Sequence, residues 1–168
     1  MKLFAIYIGG EMQGANIEVH DVRFVVAETI ENTYRELLRQ WWGAPGTLHV
    51  DCWAEIEHAD GFDVSLSPEP YHGEERLYFV NLGGYNPDEF AESHRNVFVV
   101  APSEAKAKAR AIKHARHWVE PHRDDMYEAE HVFGLETVAG KERLYIHLTR
   151  AVSERPVAFT CKYIPIRK

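Results

Sequence analysis

"IGGEMQGANIEVHDVRFVVA", residues 8–27, recurs as "LGGYNPDEFAESHRNVFVVA", residues 82–101. Both stretches carry a double glycine, then Glu-x-His, then Phe-Val-Val-Ala at the same spacing. A shift of 74 superposes Leu3 on Leu77, Gly9 and Gly10 on Gly83 and Gly84, Glu18 on Glu92, and His20 on His94. A shift of 73 then superposes "HVDCWAEIEHADG" on "HRDDMYEAEHVFG". It pairs His49 with His122, Asp51 with Asp124, Glu55 with Glu128, Glu57 with Glu130, His58 with His131 and Gly61 with Gly134. The slip of one residue is what a small loop deletion produces, so the chain reads as an internal duplication.

Periodicity sets the content of each copy. "KLFAIYI" is apolar and β-prone and reaches Gly9-Gly10, which predicts a strand followed by a turn. "VHDVRFVVA" is a second strand. With Thr29 as N-cap, Ile30, Tyr34, Leu37, Leu38 and Trp41 then follow at helical spacing, and Gly43 with Pro45 ends the helix. "LHVDCWAEIEH" alternates as a strand, and "ADG" turns it into "FDVSL". The second copy repeats this order, with Ser103 capping a helix that runs to about residue 118 and strands over 124–137 and 143–149. A strand-like tail, "VAFTCKYIPI", closes the chain.

The expectation is an α+β fold of two tandem ββαββ repeats, residues 1–74 and 75–168. They share a core, are related by pseudo-twofold symmetry, and form antiparallel sheet with one helix per repeat on one face. Read from its second strand, the unit is βαβββ twice, the order of vicinal-oxygen-chelate enzymes such as glyoxalases. Ferredoxin-like plaits are built from similar pieces, so order alone does not separate the two.

The motifs "YIGG…GANIEVHDVRFVVA" and "LGGYNP…ESHRNVFVVA" resemble the bacterial family called domain of unknown function 1543, which occurs in one or two copies per chain. The resemblance covers both repeats. It implies the two-copy architecture and brings no activity with it.

Composition bounds the function. The apolar and charged fractions, 45% and 27%, are those of an ordinary globular protein. No apolar run approaches the ~20 residues that span a bilayer, so no membrane partner is expected. The opening segment reads as a strand rather than a signal peptide. The two cysteines, Cys52 and Cys161, lack metal or redox spacing, which points to a reducing cytoplasm, with Cys52 buried and inert on an apolar strand face. A formal charge of −7 argues against nucleic acid. The local exception is the second helix, where Lys106, Arg110, Lys113 and His117 form one basic face that reads as solvated. Trp42 and Trp118 offer surface for packing between units or chains, which leaves room for a homodimer.

The chemistry is sought in histidines and carboxylates. Strict alternation would place His49, Asp51, Trp53, Glu55 and Glu57 on the open face of a strand, and Val50, Cys52, Ala54 and Ile56 against the helix. His122, Asp124, Glu128 and Glu130 repeat the polar face. The candidate ligand site comprises Gly9, Gly10, Glu18 and His20 with Gly83, Gly84, Glu92 and His94. The candidate ligands for a divalent transition metal are His20, His49, Asp51, Glu55, His94, His122, Asp124 and Glu128. Imidazole with carboxylate suits zinc, manganese, iron or nickel. The glycine pairs could also approach a phosphate, but no helix start or Gly-Lys-Ser/Thr follows them.

Three readings stay open. One is a small ligand or metal held near the pseudo-twofold axis. The second is a structural module braced by a His–Glu network. The third is a metal-dependent enzyme of vicinal-oxygen-chelate-like order. No catalytic residue is assigned, and no Gly-x-Ser-x-Gly elbow is present.

Overall fold

A computed structural model describes residues 1–129 and 143–167. Glu130, His131 and Gly134, together with the end of the strand expected over 124–137, lie outside the described residues. The fold is α+β, with ten strands and two α-helices among the described residues. In the first half β1 (Lys2–Gly10), β2 (Val19–Ala27), α1 (Tyr34–Gln40), β3 (His49–Glu55), β4 (His58–Ala59) and β5 (Phe62–Ser67) follow in order. The second half contains β6 (Arg76–Tyr85), β7 (Glu92–Ala101), α2 (Glu104–Ala111), β8 (Val119–Glu128), β9 (Tyr145–Arg150) and β10 (Thr160–Pro165).

The strands form three antiparallel sheets, ordered β10-β3-β1-β2, β4-β5-β9 and β7-β6-β8. The last hairpin strand of the first half, β5, leaves its own sheet and pairs with β9, from Phe62 opposite Arg150 to Ser67 opposite Tyr145. Residues of both halves therefore build the β4-β5-β9 sheet, a third sheet beside those of β1 and β6. Asp60 and Gly61 both adopt positive φ, 49° and 77°, as a two-residue hairpin turn between β4 and β5 requires. The Asp60 carboxylate then accepts from the Val100 amide at 3.0 Å and from Arg110 at 3.4 Å, which fastens this turn to the second half. Arg110, one of the basic residues on α2, is thus occupied inside the fold.

Side-chain alternation assigns the layers. Phe4, Ile6, Ile8 and Val25 pack with Leu37 of α1. Tyr78, Val80, Leu82 and Val99 pack with Ala107 and Ala111 of α2. On the opposite faces Leu3, Ala5, Phe24, Val26, Leu77, Phe79 and Val100 meet in one cluster with Phe62, Val64, Ile146 and Leu148 of the third sheet. The helices are thus outermost and the sheets bury their inner faces against one another. Phe24 of the first half meets Phe79 and Phe98 of the second, with ring centroids 5.8 and 6.0 Å apart.

Local details depart from the expected boundaries. Thr29 does not cap the first helix; its amide and hydroxyl both donate to the Asn32 side chain, and a 3-10 turn over Glu31–Thr33 leads into α1. Ser103 does cap α2, accepting from the Lys106 amide. The double glycines do not turn the chain. They lie within β1 and β6, in strand pairing with β2 and β7.

His58 anchors the path to the C-terminal tail. Its Nδ1–H donates to Asp63 at 2.9 Å, and its Nε2 accepts from the Arg155 amide at 3.2 Å. The ring is buried, so this pairing fixes one neutral tautomer. His58→Ala leaves the Arg155 amide without its acceptor and is expected to cost about 1–3 kcal/mol. Phe79→Ala opens the shared core and is expected to cost about 3–5 kcal/mol. Urea unfolding followed by tryptophan fluorescence should keep a single transition in both variants, because Trp53 and Trp118 report on halves that share that core. Two separate transitions would mean that the halves fold independently.

Candidate metal centres

The site begins with a register change. In β3, Cys52 lies opposite Tyr7 and Val50 opposite Ile8, so Asp51 is the extra residue of a β-bulge. The bulge reverses the alternation expected from sequence. His49 falls opposite Gly9, and Cys52 and Ala54 share the inner face with Tyr7 and Ala5. Trp53 and Glu55 instead turn to the side of α1, opposite Ile6 and Phe4. Glu55 takes Lys2 as its partner at 2.6 Å and, among the described residues, pairs with no histidine. Glu57, two residues beyond β3, joins neither His–carboxylate group among the described residues.

The second half repeats the device. Asp125 lies opposite Asn81 and Arg123 opposite Leu82, which leaves Asp124 bulged and places His122 opposite Gly83. Glu128 turns to the α2 side, opposite Tyr78, and pairs with Arg76 at 3.5 Å. Of the candidate metal ligands read from sequence, the fold gathers His20, His49, Asp51, His94, His122 and Asp124 and removes Glu55 and Glu128. Glu18 and Glu92, read as ligand-binding residues, complete the two groups.

Each group thus holds two histidines and two carboxylates at the end of a sheet. In the first, His20 Nε2 lies 3.2 Å from Glu18 and 3.6 Å from Asp51. His49 Nε2 lies 3.5 Å from Glu18 and 3.4 Å from Asp51. In the second, His94 Nε2 is 3.5 Å from Glu92 and 3.3 Å from Asp124, and His122 Nε2 is 3.0 and 3.1 Å from the same pair. One ligand atom from each of Glu18, His20 and His49 falls within 4.8 Å of the others, and so do those of Glu92, His94 and Asp124.

Backbone contacts orient the rings. His49 Nδ1 is 3.2 Å from the Thr47 carbonyl, and His122 Nδ1 is 2.8 Å from that of Glu120. With Nδ1–H donating to a carbonyl, Nε2 keeps its lone pair and points into the cluster. His49 Nε2 and Asp51 Oδ2 are buried with no hydrogen-bond partner.

The glycines explain the close approach. A Cβ on Gly9 would sit 2.6 Å from His49 Nε2 and 2.8 Å from His20 Cδ2. One on Gly83 would strike Asp124 Oδ2 and sit 2.8 Å from His122 Nε2. Gly10 and Gly84 serve packing instead, against Trp41 and Trp118. None of the four leads directly into a helix, since all lie in β1 or β6.

The two groups differ in cover. His49 is 4% exposed and His122 41%. Strand β10 borders β3 and lays Tyr163 on the His49 ring, centroids 4.6 Å apart. Among the described residues no strand borders β8 on that side. Between the groups runs a cavity of about 410 Å³ whose walls include His20, His94, Tyr7, Asn81, Phe79 and Tyr127. Tyr7 stacks on His20 at 5.2 Å, and burial, then Asp51, Asp21 and Glu18, pushes its phenol above the ordinary value.

His122 is held above the ordinary histidine value of 6.5, first by its bond to the Glu120 carbonyl and then by Asp124 and Glu92. A raised folded value means that the charged ring favours the folded state. That contribution is complete below the unfolded histidine value and is lost as pH rises through the folded one. NMR titration of metal-free protein should show the His122 ring losing its proton above pH 6.5. Asp124→Asn should bring that midpoint down, and an unchanged midpoint would remove the carboxylate from the cause.

Comparison with known proteins agrees with the family resemblance. A crystal structure of protein Il1583 from Idiomarina loihiensis superposes with a TM-score of 0.74 at 29% identity, covering 99% of each chain. No curated protein matches. Among the described residues no helix is long and apolar enough to cross a membrane. Residues 15–66, which carry Glu18, His20, His49 and Asp51, match the family model Domain of Unknown Function (DUF1543).

Proposed function

We propose that the chain binds a divalent transition metal in each of its two His₂–Glu–Asp clusters, beside a cleft that admits a small molecule. The observation that carries this reading is the spacing of the facing atoms. A metal about 2.1 Å from each donor puts neighbouring donors about 3.0–3.4 Å apart, for octahedral and tetrahedral arrangements respectively. The His–carboxylate separations run from 3.0 to 3.6 Å. Charge-assisted hydrogen bonds close to about 2.7–2.9 Å, shorter than any of these.

A bracing network would also satisfy its own buried atoms, whereas His49 Nε2 and Asp51 Oδ2 have no hydrogen-bond partner. An unpaired buried polar atom costs free energy that a cation would recover. Zinc, manganese, iron and nickel all accept imidazole with carboxylate. The cleft places His20 and His94 on one cavity wall, which supports a ligand reaching both centres. The two halves, which share their registers pair by pair, we read as a duplicated unit carrying one centre each.

The test is elemental analysis of untagged protein, stripped with chelator and reloaded with each of the four metals in turn. Two equivalents per chain are expected, one in His49→Ala or His122→Ala, and none in the combined variant. Gly9→Ala, which pushes a methyl into the His49 and His20 rings, should weaken the first centre by about 10–100-fold, the range of orienting residues around metals. Metal at 100 times its dissociation constant should add about 2.7 kcal/mol per site to unfolding. Wild-type protein that retains none of the four metals would overturn the reading. A loss of stability in metal-free Glu18→Ala as large as about 1–3 kcal/mol would favour the brace instead.

A further inference from the structure

The two cysteines stand far apart in the sequence, and the fold sets them side by side. Cys161 of β10 lies opposite Cys52 of β3, and their sulfurs are 2.7 Å apart. Directly paired residues of antiparallel strands have Cα atoms about 4.5–5.5 Å apart, inside the window of about 4.4–6.8 Å that a disulfide spans. No movement of the backbone is needed to join them. Cys161 is exposed and Cys52 half-buried, so one sulfur of the pair is open to a reagent and the other is sheltered behind it.

We propose that Cys52 and Cys161 form a reversible disulfide that fastens strand β10 to β3 in response to small-molecule disulfides such as oxidised glutathione. The Cys161 thiolate attacks one sulfur of the small disulfide, forms a mixed disulfide and expels one thiolate. Cys52, deprotonated, then attacks Cys161 Sγ, closes the Cys52–Cys161 bond and expels the second. The cysteines lose two electrons together and the small disulfide gains them, and the two cysteine protons end on the two released thiols. The exposed Cys161 meets the small disulfide first, and the half-buried Cys52 resolves the mixed disulfide.

The bond would act on an edge strand whose one paired neighbour among the described residues is β3. Every residue of β10 is exposed except Ile164, and the pairing with β3 shifts register between Cys161 and Ile164. The same strand lays Tyr163 over His49. This inference does not depend on metal binding at that histidine.

The experiment incubates the full, metal-free chain with oxidised glutathione and reads thiol titration, intact mass and a peptide map. Two free thiols should fall to none, with loss of two hydrogens, no retained glutathione, and a Cys52–Cys161 linked peptide. Amide exchange in β10 should slow, and the melting temperature should rise on the order of 10–20 °C, as expected for closing a loop of this length in a chain of this size. Both changes should reverse with dithiothreitol. Cys52→Ser should retain glutathione on Cys161 as a stable adduct. Thiols that stay free, two separate glutathione adducts, or bonds only between chains would each overturn the proposal.

Discussion

The structure turns on one extra residue in each of two strands. Strict alternation along β3 would carry His49 and Asp51 with Trp53 and Glu55 on one face. The bulge at Asp51 breaks that phase and lets one strand serve two environments. Beyond it Cys52 and Ala54 face the inter-sheet core. Before it His49 falls opposite Gly9, where the missing Cβ leaves space for an imidazole. Asp124 does the same in β8, opposite Gly83. A bulge and a facing glycine therefore form one device, since neither alone brings a ring and a carboxylate together.

The device is usable because the rest of each sheet is rigid. Apolar residues fill both faces of β1 and β6, one against a helix and one against the other half. Phe24, Phe79 and Phe98 lock the halves together, and the β5–β9 pairing makes a sheet that neither half owns. The two His–carboxylate groups lie where this packing ends, at the glycine ends of β1 and β6. Carboxylates and imidazoles are held there by backbone position and by carbonyl contacts to Nδ1, so the clusters keep their spacing without a hydrogen bond across every pair.

Symmetry stops at the edge strands. β3 has β10 beside it, and β8 has no such neighbour among the described residues. The C-terminal tail covers His49 in the first cluster, whereas His122 in the second stays exposed. Two nearly identical His–carboxylate groups consequently hold one histidine each in different dielectric surroundings. Charge is costlier to bury in the first, and protons and solvent reach the second freely.

Much of this was legible in the sequence. The α+β class, the antiparallel strands, the Asp-Gly turn, the Ser103 cap and the residue types of the clusters follow from local pattern and spacing. Glu-x-His ahead of the second strand marked Glu18, His20, Glu92 and His94, and His-x-Asp marked the other members. Tertiary structure decided the rest. Alternation misassigned Glu55 and Glu128 because a bulge is set by pairing with a neighbouring strand. The thiol pair was invisible because strand neighbours so distant in sequence leave no spacing signal. The exchange of β5 and β9 between halves, and the cover of Tyr163 over His49, depend on which edges meet once the core has formed. Local sequence encodes strand phase and turns, and only the packed chain determines which polar ends come together.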